Sequence, residues 1–244
     1  MEARNRIESM CATLLALTLS TSSWAGDVPE ESVETTPDPV IATTCNVTGY
    51  KNEAAKYSPA REIPDGSAAG LVLGPLQFGD DGMRISKVVL EVVASHTKVG
   101  DLTIKLGYDL TCDGSIDYES VVACRPRGTQ STTPAPCGSG TGGGCSGDLS
   151  CGRIYTFSDD ATSAMAVGTC PSTISTGCYE PPADGGTPLS VFTDLQKTGC
   201  WFFTIIDPIA PNKGSVCSWA VHILNHVAVG TESISWSTTK ILYR

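Results

Sequence analysis

The chain has 244 residues, enough for one large domain or two small ones. A hydrophobic content of 41% supplies a core, while 25 glycines and 15 prolines call for many turns and little helix. A formal charge of −10 argues against a nucleic-acid binder, which would show a basic face.

Residues 1–25 read as a secretory signal peptide. Arg4 and Arg6 precede the apolar run Met10 to Leu19, and Ser23-Trp24-Ala25 offers a small-x-small cleavage site before Gly26. Glu2 and Glu8 dilute the basic flank, so an uncleaved anchor is the alternative. The run is too short for an ordinary membrane span, and no later segment qualifies. An exported chain, extracellular or periplasmic and without a membrane span after cleavage, is the expectation. Glu8-Ser9-Met10 is not the small apolar sequence that would make Cys11 a lipoprotein cysteine.

Cleavage leaves ten of the eleven cysteines: Cys45, Cys112, Cys124, Cys137, Cys145, Cys151, Cys170, Cys178, Cys200 and Cys217. An even number in an exported chain reads as a disulfide framework of up to five bridges. Sequence alone leaves the connectivity open. Local pairs such as Cys112–Cys124, Cys170–Cys178 and Cys200–Cys217 are the expectation, because each flanks a short strand-turn-strand segment. Zinc is the alternative for Cys137, Cys145 and Cys151, but their spacings and the lack of a nearby histidine count against it.

Residues 26–56 are acidic, rich in Thr and Pro and without periodicity, as a solvated linker is. Asn46-Val47-Thr48 in this stretch fits a glycosylation sequon, which matters only where a host can use it. The folded domain is expected over 57–226. Ile63-Pro64-Asp65-Gly66 is a turn, and strands are expected at Leu71–Leu73, Ile85–Val93, Leu102–Tyr108 and Tyr118–Cys124. In the second of these Val88, Leu90 and Val92 share one face. In the third Leu102, Ile104, Leu106 and Tyr108 alternate with Thr103, Lys105 and Gly107. The loop between them, containing Gly100, makes a hairpin or a corner of an antiparallel sheet. Residues 125–151 break the composition with Gly, Ser, Thr, Pro and Cys and read as an inserted surface loop. Residues 227–244 add a β-type extension.

Several phrases in order resemble the P domain (P/Homo B domain) that follows the protease domain of kexin and furin-like convertases and also occurs in secreted bacterial proteins. His96-Thr97 followed by Gly100-Asp101-Leu102 and an alternating strand is the first, with Ile63-Pro64-Asp65 before it. Phe157-Ser158-Asp159-Asp160-Ala161 is similar to that family's F-x-D-D-x-A phrase, with one residue fewer before the alanine. Pro188-Leu189-Ser190-Val191-Phe192 follows. Gly199-Cys200-Trp201-Phe202-Phe203-Thr204-Ile205-Ile206-Asp207 and Gly214 to Ile223 around Trp219 complete the series. The resemblance spans roughly Tyr57 to Leu224, and the 125–151 insert departs from it. It implies an all-β, jelly-roll-like antiparallel β-sandwich of about eight strands. Trp201, Phe203 and Ile205, like Trp219, Val221 and Ile223, are expected to face its core.

Two sets of acidic residues are candidate calcium ligands. Counting Asp109 as the first position of a calcium loop, Asp113 is the fifth, Gly114 the sixth and Asp117 the ninth. Thr111 replaces the usual acidic third residue, and Ser120 stands where the bidentate ligand belongs. Asp159, Asp160 and Asp207 form the second set if their loops meet at one rim. Either site would be a Ca2+ site that stabilises structure; the alternative for the first is an acidic turn stapled by Cys112.

No protease machinery is legible. The chain has three histidines: His96 belongs to a turn, and His222 and His226 lie on or just after the last core strand. Thr162-Ser163-Ala164-Met165-Ala166 matches a subtilisin-type nucleophile phrase only in part, lacking its glycine and its residue order, and Gly-x-Ser-x-Gly does not occur. His96 and Asp101 read as turn-building residues. The expected function is a non-catalytic, secreted, stand-alone binding or structural module. The alternatives are an accessory subunit of an exported subtilisin/kexin-like serine protease and, behind it, a jelly roll that binds glycans or cell surfaces. The partner would be an extracellular protein, such an exported serine protease among the candidates.

Overall fold

The computed structural model describes residues 45–125, 145–165, 171–183 and 185–226. The stretch read as a signal peptide, the stretch read as a 227–244 extension, most of the 125–151 insert, Cys137 and Cys170 lie outside them. Nine strands occur among the described residues: β1 Lys51–Ile63, β2 Ser67–Gln77, β3 Arg84–His96, β4 Thr103–Asp109, β5 Tyr118–Cys124, β6 Tyr155–Phe157, β7 Gly177–Tyr179, β8 Cys200–Asp207 and β9 Gly214–His226. They form two sheets, β1-β9-β3-β6-β7 and β2-β8-β4-β5, antiparallel except for the β6–β7 pair. This is the all-β sandwich expected, with β1, β2, β3 and β4 alternating between the two sheets as in a jelly roll.

Alternation builds the core. Leu102, Ile104, Leu106 and Tyr108 are buried on one side of β4, as are Val88, Leu90 and Val92 on β3. Trp201, Phe203 and Ile205 on β8 meet Trp219, Val221 and Ile223 on β9, all buried as expected. The Phe203 and Trp219 rings stack across the two sheets, 5.6 Å apart at 26°. Each such side chain contributes about 1.5–3 kcal/mol on burial, so the alternating pattern itself supplies most of the stabilisation. Because β3 and β4 lie in different sheets, the segment joining them is a corner and not a hairpin. Its short helix, Val99–Asp101, is entirely buried.

Order begins earlier than the composition suggests. β1 starts at Lys51, inside the 26–56 stretch read as linker, and pairs with β9 from Lys51↔Ile223 onward. Cys45 is bonded to Cys178 on β7. Charged residues on β1 belong here to an edge strand, where they stay wet while the backbone pairs.

The local disulfide expectation is corrected. The bridges are Cys45–Cys178, Cys112–Cys200 and Cys151–Cys217, and Cys124 and Cys145 are bonded too. Cys112 sits in the β4–β5 loop, whereas Cys124 is at the far end of β5. A seven-residue strand separates them by roughly 20 Å, beyond the ~7 Å that a disulfide spans. Cys200 opens β8 in one sheet and Cys217 lies on β9 in the other. The same bonds remove the zinc alternative, since Cys145 and Cys151 are both oxidised.

Candidate functional site

Polar side chains gather at opposite ends of the sandwich. At the end where β3 stops and β8 stops, the His96 ring and the Asp207 carboxylate are both buried, with side-chain exposures of 0% and 1%. Lys98 N–H reaches His96 Nδ1 at 3.1 Å, which leaves Nε2 to donate to Asp207 Oδ2, also at 3.1 Å. Asp207 Oδ1 accepts from Ile209 N–H (3.1 Å). Asp101, buried in the corner helix, accepts from Asn212 Nδ2 at 2.7 Å and pairs with Lys98 Nζ at 3.1 Å. Gly214 is required beside them, because a Cβ there would stand 2.3 Å from Ser95 O and 2.5 Å from His96 Cδ2. His96 and Asp101 therefore brace the β3–β4 corner against the β8–β9 loop. A ring with both nitrogens engaged and no exposed surface has no route to a substrate.

The first calcium set lies at the opposite end. Asp109 is buried and spends both oxygens on the loop, Oδ1 on Thr111 N–H (3.1 Å) and Oδ2 on Gly114 N–H (2.7 Å). Asp117 Oδ2 accepts from Leu110 N–H at 2.8 Å, and Asp113 Oδ1 from Ser115 N–H at 2.9 Å. The Ser115 amide, then the Ser115 and Thr111 hydroxyls, hold the Asp113 carboxyl below the usual carboxylate range. Cys112 has a positive φ of 58° and ties the loop to the start of β8. The donor set fits a hydrogen-bonded acidic turn better than a calcium cage, because its oxygens face amides and not one another.

The second set does not assemble. Asp159 caps the short helix Leu189–Phe192, accepting from Leu189 N–H (2.8 Å) and Ser190 N–H (2.7 Å). Asp160 pairs with Lys87 Nζ at 2.5 Å, which holds the lysine above its ordinary value. Asp207 joins His96 nine positions further along β3, roughly 25–30 Å from Lys87 at strand spacing. Among the described residues no three His, Cys, Asp or Glu side chains are grouped so as to hold a metal ion.

Asp159 also divides two adjoining clefts. One of about 190 Å³ is lined by Ser86, Lys87, Ser158, Asp160, Ser190 and Thr193 among others. The other, about 390 Å³, is lined by Glu180, Pro181, Pro182 and Pro188 and shares Asp159 and Ser190 with the first. Their hydroxyls and charges can hydrogen-bond a polar ligand. No histidine lines either cleft, and Lys87, the lysine of the first, is paired with Asp160. His222 pairs with Glu91 (3.4 Å) and His226 with Asp194 (3.2 Å) elsewhere. Ser163 contributes its backbone carbonyl to Glu180 N–H.

No family model matches the chain. No curated protein matches it either. Among solved structures it is similar to the serine protease of Aeromonas sobria in complex with its chaperone, at 11% identity and a TM-score of 0.38. It is also similar to the serine protease of Aeromonas sobria by itself, at 12% identity and a TM-score of 0.35. Both alignments cover 72% of this chain and 26% of the other, so the chain spans about a quarter of the proteins it resembles.

Sequence reasoning missed two relationships at these sites. Asp207 is the partner of His96, and buried Lys197 joins Lys51 on Asp81. No local signal carried either one, since the partners of both are separated by more than a hundred positions in the case of His96–Asp207 and Asp81–Lys197.

Proposed function

We propose that this is a secreted, disulfide-braced, non-catalytic binding module of the P/Homo B kind, presenting loops and sheet faces on a rigid sandwich. The observation that carries the reading is the use of His96: its buried ring is committed at both nitrogens to Lys98 and Asp207. The buried His96–Asp207 pair thus serves geometry. The disulfide framework supports an oxidising destination, extracellular or periplasmic. The sequence resemblance to the convertase P domain makes an exported serine protease the first partner to test.

The experiment has two arms. The purified mature chain should release no fragments from casein or gelatin. Mixed with an exported subtilisin-like protease from the same source that lacks such a domain, it should co-elute and lengthen that enzyme's thermal half-life. Hydrolysis that follows the pure chain and is lost on substitution of one of its own side chains would overturn the reading.

A further inference from the structure

The two outer faces of the sandwich differ. On the five-stranded sheet the register sets Lys56, Lys87, Glu91, Ser218 and His222 outward together with Val89, Val93, Ala220 and Leu224, a mixed surface none of whose large apolar side chains is strongly exposed. On the four-stranded sheet the outward positions are Val72 on β2, Phe202, Thr204 and Ile206 on β8, and Lys105 and Gly107 on β4. Val72 is 58% exposed, and Ile116 and Leu110 in the adjacent loop are 43% and 42% exposed. Single exposed apolar side chains are ordinary, but here the register sets Val72 beside Thr204 between Phe202 and Ile206, and Ile116 lies against Gly107 opposite Phe202, so they cluster on one face.

Glycines make this surface flat. A Cβ on Gly74 would stand 3.2 Å from Phe202 Cδ1, one on Gly70 would stand 2.7 Å from Ile206 Cγ1, and one on Gly107 would stand 3.1 Å from Ile116 Cδ1. Each of the three apolar side chains therefore lies across a neighbouring strand where only glycine leaves room. Gly70 and Gly74 also have positive φ, 66° and 132°. The charges bordering the surface are lopsided. Lys105 is neutralised by Glu119 at 2.9 Å, while Asp113 and Asp117, exposed in the loop that carries Ile116, form no ion pair among the described residues.

We propose that the outer face of the four-stranded sheet, floored by Val72, Phe202, Ile206 and Ile116 and bordered by Asp113 and Asp117, docks another protein that presents apolar side chains ringed by lysine or arginine. The proposal rests on the binding-module reading and adds the face and the partner's chemistry. Charge complementarity selects that occupant over a second copy. The chain carries −10, and a two-fold contact would set acidic border against acidic border.

A library of random displayed peptides panned against the full mature chain tests this. Enriched peptides should combine aromatic or branched apolar residues with Lys or Arg. Their affinity should fall by about tenfold or more in Val72→Asp and Ile116→Asp, and should weaken as salt rises. Both positions are exposed, and an unchanged Tm verifies that each variant folds. The proposal is overturned by enriched peptides that bind both variants as they bind the parent, although the binding-module reading would then stand. Acidic peptides, no enrichment over a control domain, or a homodimer that Val72→Asp dissolves would overturn it as well.

Discussion

His96 and Asp207 lie 111 positions apart in the chain and 3.1 Å apart in the fold, at the buried end of the sandwich where β3 and β8 finish. Removing either partner strands the other in a dry site. His96→Ala and Asp207→Ala should each cost about 3 kcal/mol or more, lowering Tm by roughly 6–12 °C for a domain of this size. The double variant should cost less than the two single costs added together. Denaturant melts of the four proteins check this, and additive losses would mean that the contact is not energetically coupled.

The bridges make a second prediction. Peptide mapping without reduction should recover Cys45–Cys178, Cys112–Cys200 and Cys151–Cys217 and none of the neighbouring pairs. Cys112–Cys200 closes a separation of 88 positions, for which chain entropy gives about 4–5 kcal/mol. Replacing both cysteines by alanine should lower stability on that order.

Asp81 gives the protein a predictable response to acid. Its carboxyl is held well below the usual carboxylate range, first by Lys197 and then by Lys51. A depressed folded value means that this stabilisation is present above about pH 4, the unfolded value, and is lost as pH falls toward the folded one. Asp81→Asn should therefore melt earlier than the parent at pH 7. The gap should narrow steadily below about pH 4; a constant gap would show that charge is not the cause.

Calcium distinguishes the two accounts of the 109–117 loop. With the Asp109 oxygens on Thr111 and Gly114 amides, about 1 mM calcium should leave Tm where a chelator leaves it. Asp109→Ala should lower Tm equally in both buffers, by losing charge-assisted hydrogen bonds worth about 1.5–3 kcal/mol each. A rise of several degrees with calcium, abolished by Asp109→Ala, would restore the metal site.

What could be read from the chain was what alternation and turn chemistry encode locally. The runs Leu102–Tyr108 and Trp201–Ile205 announce which side chains are buried, because the strand period is two wherever one face is dry. Tyr118–Cys124 was bounded in full by its β-branched run Val121-Val122 although its burial does not alternate, while β1 was hidden because an edge strand needs no apolar stripe. The candidate acidic residues were legible as acidic and placed in turns. Whether their oxygens converge depends on backbone amides, to which every residue type contributes alike.

By itself, then, the sequence determined a cysteine-rich β chain with two apolar faces to bury. Only the tertiary structure decided which cysteines meet, that Asp207 belongs to His96, and that Asp159 and Asp160 sit at the other end. The reason is physical. Burial is a property of one residue and its near neighbours, whereas a disulfide or a buried pair is a distance between segments that the sheet order alone brings together.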